Sequence, residues 1–227
     1  MAQHYGPHIV TDELVLCLDA ADSNSYSSGG TTWTDLSGTG NSVTRTGLPI
    51  FIPSGSSAAL EFAGSNDDYF SKTSATFDAG GSWTVSLWIN GWNAGGVPFS
   101  AGHPSLGYKA LRLSLHTLGL GFWRRDDSNN ESAVFISPAP STSNWTNVVW
   151  KYNGSNPEAY INGVSSGTTS WTTGTISSTH IAVGNFLRNA PDNPFDGKIG
   201  LVNVYQSALS AKEVLQNFNA HRGRFGV

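Results

Sequence analysis

The chain has 227 residues, of which 12% are charged, with a net charge of −4 and 26 glycines. That charged share is about half of the ~25% usual in globular domains, and Glu and Lys are too scarce for a helical bundle. The acidic balance excludes the basic face that nucleic-acid binding requires, and no apolar run approaches the ~18 residues of a membrane-spanning helix.

Residues 1–12 fit no hydrophobic period and read as an extended arm. They carry neither a charged n-region nor an apolar h-region, so the expectation is no secretory leader and folding in a cytoplasm. Leu14-Val15-Leu16-Cys17-Leu18 is the first strand, and its lone cysteine reads as a buried small hydrophobe. A polar loop follows from Asp19 to Asn41, with Trp33 and Leu36 as its expected apolar anchors. Ala59–Phe62 and Tyr69-Phe70 are short strands around a polar turn. The clearest strand, Trp83–Ile89, puts Trp83, Val85, Leu87 and Ile89 on one face and Thr84, Ser86 and Trp88 on the other. Ala110–Leu115 and Leu118–Trp123 predict a hairpin around His116-Thr117. The cluster Arg124-Arg125-Asp126-Asp127 reads as a solvated turn, and Ser132–Ser137 as a further strand.

Trp145–Tyr152 alternates again, with Val148, Trp150 and Tyr152 on one face. Asn162-Gly163 after Glu158–Ile161 is a strong two-residue hairpin signal. His180–Gly184 and Lys198–Tyr205 complete the strands. One helix is expected: Ser210 and Glu213 form a capping box, Leu209 and Val214 a hydrophobic staple, and Gly223 a stop. The organisation is therefore an arm (1–12), one all-β antiparallel two-sheet sandwich (13–220) with a short C-terminal helix, and a basic tail (221–227).

The order of these pieces resembles a known family. Leu14–Ala21, Gly30–Gly38, Leu60-Glu61-Phe62 with Asn66–Tyr69, Trp83–Trp88, Trp145–Val149 with Tyr160–Val164, and Phe195–Ile199 with Ala208–Val214 are similar, in order, to laminin-G-like domains of the concanavalin A-like lectin/glucanase superfamily. The resemblance implies a jelly-roll sandwich. The ends, Tyr5-Gly6-Pro7 with Ile9–Asp12 and Gln216–Ala220 with Arg222–Gly226, resemble virion proteins of marine and cyanobacterial tailed phages. This second resemblance implies a virion surface protein made in the host cytoplasm. Such a protein would bind other virion proteins as a homo-oligomer, with no nucleic acid and no membrane insertion.

Retaining glycoside hydrolysis needs two carboxyl groups about 5–5.5 Å apart, supplied in relatives by a Glu-x-Asp-x-Glu strand. None of Glu13, Glu61, Glu131, Glu158 and Glu213 has an acidic partner at that spacing, so no catalytic residue is expected. Asp19, Asp35, Asn41 and Asp196 are the oxygen donors a calcium ion would use, but Asp residues capping turns is the favoured reading, and no cofactor or metal is expected. The resemblance leaves a second role open, a carbohydrate-binding module that attaches to host-surface polysaccharide. That needs an exposed ring with convergent polar groups, for which the candidates are Trp92, His103, Trp123, Arg124 and Asn185.

Overall fold

The computed structural model describes residues 8–102, 109–171, 174–187 and 191–227. Among them the strands are, in chain order, β1 (Leu14–Asp19), β2 (Thr32–Trp33), β3 (Val43–Thr46), β4 (Ile50–Ile52), β5 (Ala59–Ala63), β6 (Tyr69–Thr73), β7 (Trp83–Asn90), β8 (Phe99–Gly102), β9 (Ala110–His116), β10 (Gly119–Arg125), β11 (Glu131–Ile136), β12 (Thr146–Tyr152), β13 (Pro157–Ile161), β14 (Val164–Thr168), β15 (His180–Val183), β16 (Phe186–Leu187), β17 (Pro191–Asp192) and β18 (Asp196–Tyr205). One helix, α1 (Ala211–Phe225), closes the chain.

The strands form two antiparallel sheets. The first runs β14-β13-β12-β7-β18, and β18 is long enough to take β5 and then β4 along its first half and β1 along its second. The second runs β11-β10-β9-β8-β15-β6-β3-β2. Period-two alternation places Val85, Leu87, Ile89, Val148, Trp150, Ile199 and Val202 of the first sheet against Phe70, Phe99, Leu113, Phe122 and Val183 of the second, in one buried core. The fold is the all-β sandwich with one C-terminal helix that the strand pattern predicts.

The opposite parity of the first sheet carries Trp88, Leu201 and the half-buried Trp145, and these meet Phe218 and Phe225 of α1. The Trp88 ring is stacked on both phenylalanines, with centroids at 5.7 Å from Phe218 and 4.4 Å from Phe225. Gly200 sits beneath this stack at a register shift in β18. A Cβ there would fall 2.8 Å from Phe225 Cε1 and 3.3 Å from Trp145 Cη2, so the close approach requires glycine. At the other end of α1, Leu209 and Val214 pack with Val149, Tyr160 and Tyr205. The capping box forms as expected, with Ser210 Oγ accepting from Glu213 N and Ser210 N donating to Glu213 Oε2 at 2.7 Å.

Residues 8–12, the described end of the arm, are tied to this helix. Val10 N donates to Asn217 Oδ1 at 2.8 Å, Asn217 Nδ2 donates to Tyr205 Oη at 3.0 Å, and Tyr205 Oη donates back to Val10 O at 3.1 Å. The ring of bonds satisfies every group it buries.

Several expectations need correcting. The helix does not stop at Gly223 but continues to Phe225 and ends at Gly226, whose φ of 72° gives the left-handed cap. The aromatic anchor Phe225 lies beyond Gly223, and its burial outweighs the cost of one glycine in the helix. Leu36 is 39% exposed and plugs nothing, whereas Trp33 is fully buried. The hairpin turn is Thr117-Leu118, with His116 paired to Gly119. Arg124 and Asp126 are buried and not a solvated turn: the Asp126 carboxylate is taken up by Ser128 N, Asn130 N and Asn130 Nδ2. The short strands β2, β3, β4, β8, β16 and β17 are too brief or too polar to show a period of their own.

Two stability measurements follow. Phe225→Ala empties the site against Trp88 and is expected to cost about 3–5 kcal/mol in chemical denaturation. Burial holds the His221 imidazole below its ordinary value, opposed by its Nδ1–H bond to Asn217 O, with Arg224 lowering it and Asp19 raising it. The unfolded chain therefore takes up a proton near about pH 6.5 that the folded chain refuses. Stability is full above that pH and falls as pH drops through it, so a melting temperature recorded from about pH 7.5 to 5.5 declines, and declines less in His221→Gln.

Candidate functional site

The two outer faces of the sandwich differ in how much is left open. α1 and residues 8–14 cover the first sheet. Among the described residues, the outer face of the second sheet is covered across its middle by the β16–β17 segment. There Phe186 packs with Val97, Ala110 and Trp123, its ring 5.3 Å from that of Trp123. The Arg112 guanidinium lies 5.6 Å from the Trp123 ring and 5.7 Å from the Phe186 ring. Asn185 anchors the segment: its O accepts from Ser100 Oγ at 2.8 Å, its Oδ1 accepts from Asp192 N at 2.9 Å, and its Nδ2 donates to Asn66 O at 3.0 Å.

This layout settles the positions of the residues singled out from sequence. His103 lies outside the described residues. Trp92 is 4% exposed, belongs to the main core and donates through Nε1 to Ser141 O at 2.9 Å. Trp123 is 8% exposed and donates to Glu131 Oε1 at 2.7 Å. Asn185 is buried, as is Arg124, whose guanidinium lies 5.0 Å from the Trp171 ring and donates through Nη2 to Gly174 O. Packing has taken both indole rings, so neither is the exposed platform expected of them. Trp123 and Asn185 flank the same segment, Trp92 lies in the core away from it, and Arg124 points to the opposite side of β10, since it alternates with Trp123.

The open end of this face holds a different constellation. In the register of β9, β10 and β11, Ser114, Gly121 and Phe135 are aligned side by side. A Cβ on Gly121 would meet Ser114 Oγ and fall 2.9 Å from Phe135 Cε1, so the phenyl ring lies across the backbone of β10 in the space a side chain would fill. The ring is 42% exposed. His116 stands beside it, centroids 4.8 Å apart and tilted by 44°. His116 Nδ1 accepts from Leu118 N at 3.2 Å, which leaves Nε2 to carry the ring N–H as a donor. Ser114 is only 5% exposed, yet its hydroxyl has no hydrogen-bond partner among the described residues. A ring, a fixed donor and an unused hydroxyl thus form one shelf, with exposed Leu118 at its tip. The sequence signal was available: Glu131, Ala133 and Phe135 share the polar parity of β11, where a phenylalanine has no core to enter.

The carboxylates are otherwise engaged. Asp19 is bidentate with Arg224 at 2.6 and 2.7 Å. Asp35 accepts from Cys17 N, Ser37 N and Oγ, Thr39 Oγ1 and Asn41 N. Asn41 is spent on Val15 O and Thr76, and Asp196 on Asn93. Among the described residues no three His, Cys, Asp or Glu side chains gather as a metal site. Hydrogen bonds, the Asn130 amide foremost, hold Asp126 below the usual carboxylate range, and the Ser210 backbone and hydroxyl do the same for Glu213. Burial opposes ionisation of Glu158, but the Lys151 ammonium at 2.6 Å and the Tyr160 hydroxyl outweigh it.

The profile of a laminin G family, described as the Concanavalin A-like lectin/glucanases superfamily, matches residues 63–215 of the 227. The chain belongs to this superfamily. A search of curated protein sequences gives no match. Among solved structures, this superfamily domain is similar to the binding domain of Paraclostridial Mosquitocidal Protein 1 (TM-score 0.66, 19% identity, 92% of this chain and 52% of that one). It is similar to the binding domain of botulinum neurotoxin serotype G (0.68, 15%, 90% and 50%). It thus spans about half the length of these toxin domains. It also resembles domain 4 of AbnA, an extracellular GH43 arabinanase of Geobacillus stearothermophilus solved with arabinotriose (0.68, 18%, 91% and 98%). At these identities the likeness is one of fold.

The burial of Trp92 has a measurable consequence. Trp92→Ala is expected to lower unfolding stability by about 3–5 kcal/mol, read by denaturant titration, because the ring is a core element and not a surface contact.

Proposed function

We propose that this superfamily domain is a non-catalytic carbohydrate-binding module whose ligand docks on the Phe135 shelf. The observation that carries the reading is the half-exposed phenyl ring of Phe135 reaching over Gly121, with the His116 ring and the Ser114 hydroxyl beside it. Sugars stack their C–H faces on such rings, and hydroxyl-matched donors and acceptors fix their orientation. The arabinanase domain, which this chain matches over 98% of that domain's length, was solved with arabinotriose. Among the described residues no carboxyl group stands on the shelf, which favours binding without turnover.

The phage-like wording of both ends supports a setting for the module: the surface of a virion, in a symmetric oligomer bound to other virion proteins and touching host polysaccharide. Mass spectrometry of purified particles is expected to find the protein; its absence there would remove the setting but not the module.

A glycan array tests the binding itself. The domain is expected to retain a subset of glycans, and Phe135→Ala to lose them while its thermal melt stays within a few degrees of wild type. Retention by Phe135→Ala at wild-type strength would move the site elsewhere.

A further inference from the structure

We infer that the shelf selects uncharged sugars, and that Gly121 is the residue that makes the shelf possible; the inference rests on the carbohydrate-binding reading above. Among the described residues no carboxylate, lysine or arginine side chain stands on the shelf, which is made of the Phe135 ring, the Ser114 hydroxyl, the Leu118 side chain and an imidazole whose Nδ1 accepts from Leu118 N. The face of an aromatic ring is the negative pole of its quadrupole, which attracts polarised C–H groups and repels an anion. A carboxylate or sulfate set down here would lose water without gaining a cation.

Among the described residues, two arginines on the same face come next along the strands, and both are engaged elsewhere. Arg112 is two residues from Ser114 along β9, about 7 Å away, and its guanidinium lies against the Trp123 and Phe186 rings. Arg125 is four residues from Gly121, about 13 Å along β10, opposite Glu131 with Nε and Oε2 3.9 Å apart. Neither is set at the edge of the ring. Ser114 supplies the independent pointer to a ligand: a hydroxyl on a residue 5% exposed, without a partner among the described residues, facing the ring. A neutral sugar stacked on Phe135 brings hydroxyls to both Ser114 Oγ and His116 Nε2–H.

Gly121 makes the arrangement possible. Any side chain at position 121 lifts Phe135 off the strand and crowds Ser114, so the platform and its hydroxyl are lost together.

The test is binding by calorimetry to neutral oligosaccharides (arabinotriose, galactotriose, cellotriose) and to anionic ones (trigalacturonate, sialyllactose, a sulfated disaccharide). Wild type is expected to bind at least one neutral sugar, at least tenfold more tightly than any anionic one, and with affinity unchanged from about 50 to 500 mM salt. Gly121→Ala and Ser114→Ala are each expected to weaken that binding tenfold or more. Ser114→Ala leaves the strand register intact, which guards against misfolding of the glycine variant. Preference for an anionic sugar, with affinity falling as salt rises, overturns the neutral selection while leaving the carbohydrate reading standing. Equal binding by both variants overturns the role of the shelf. No binding of either class by the folded wild type, with an array equally blank, overturns both readings.

Discussion

The phenyl ring of Phe135 can lie across β10 because residue 121 has no side chain. In a β-sheet, neighbouring side chains on one face stand side by side, and a ring normally stands among them. With no Cβ at position 121, the edge of the Phe135 ring extends over β10 into the space that a side chain would take. That extension creates an accessible aromatic face on a sheet whose other large rings are committed to packing. Trp123 holds Phe186 over the middle of the same face, and Trp92 donates from the core to Ser141 O. The sandwich spends its indoles on stability and leaves a phenylalanine for the surface.

The same economy explains how differently the described residues cover the two outer faces. A two-sheet sandwich has two outward faces, and apolar side chains on either need cover. On the first sheet the cover is α1, docked by the Trp88–Phe225 stack over Gly200 and latched by the Val10–Asn217–Tyr205 bonds. Burial pushes the Tyr205 hydroxyl up and the Cys17 thiol up to about 12 in this layer, so both stay neutral beneath the helix. On the second sheet the described residues cover the face in part, and Ser114, His116 and Phe135 meet at the end beyond that cover. The two glycines act in opposite senses. Gly200 lets a neighbouring element close down on its sheet, and Gly121 lets a single ring lie open to water.

Much of the fold was legible in the sequence. Trp83–Ile89 and Trp145–Tyr152 alternate cleanly because one parity of each faces the core and the other faces α1. Asn162-Gly163 turns with φ of 51° and 76°, as its dipeptide predicts. The capping box at Ser210 and Glu213 likewise forms from local sequence alone. What escaped depended on register. No period reveals that Gly121 lies between Ser114 and Phe135, since those residues are brought together by two separate strand pairings. Aromatic residues near loops drew the search to Trp92 and Trp123, but a large ring in a sandwich is taken first by whatever core lies next to it. Residue type near a turn therefore says little about exposure, whereas a phenylalanine on the polar parity of an alternating strand says more.

The central claim is that the ligand sits on Phe135, and two-dimensional NMR of the domain titrated with a bound oligosaccharide tests it most directly. The account predicts that shifts concentrate at Ser114, His116, Leu118, Gly121 and Phe135, with an intermolecular contact between the phenyl protons and the sugar C–H groups. Shifts confined to the Asp19–Arg224 region or to the loops around Trp92, with the Phe135 ring unmoved, would contradict it.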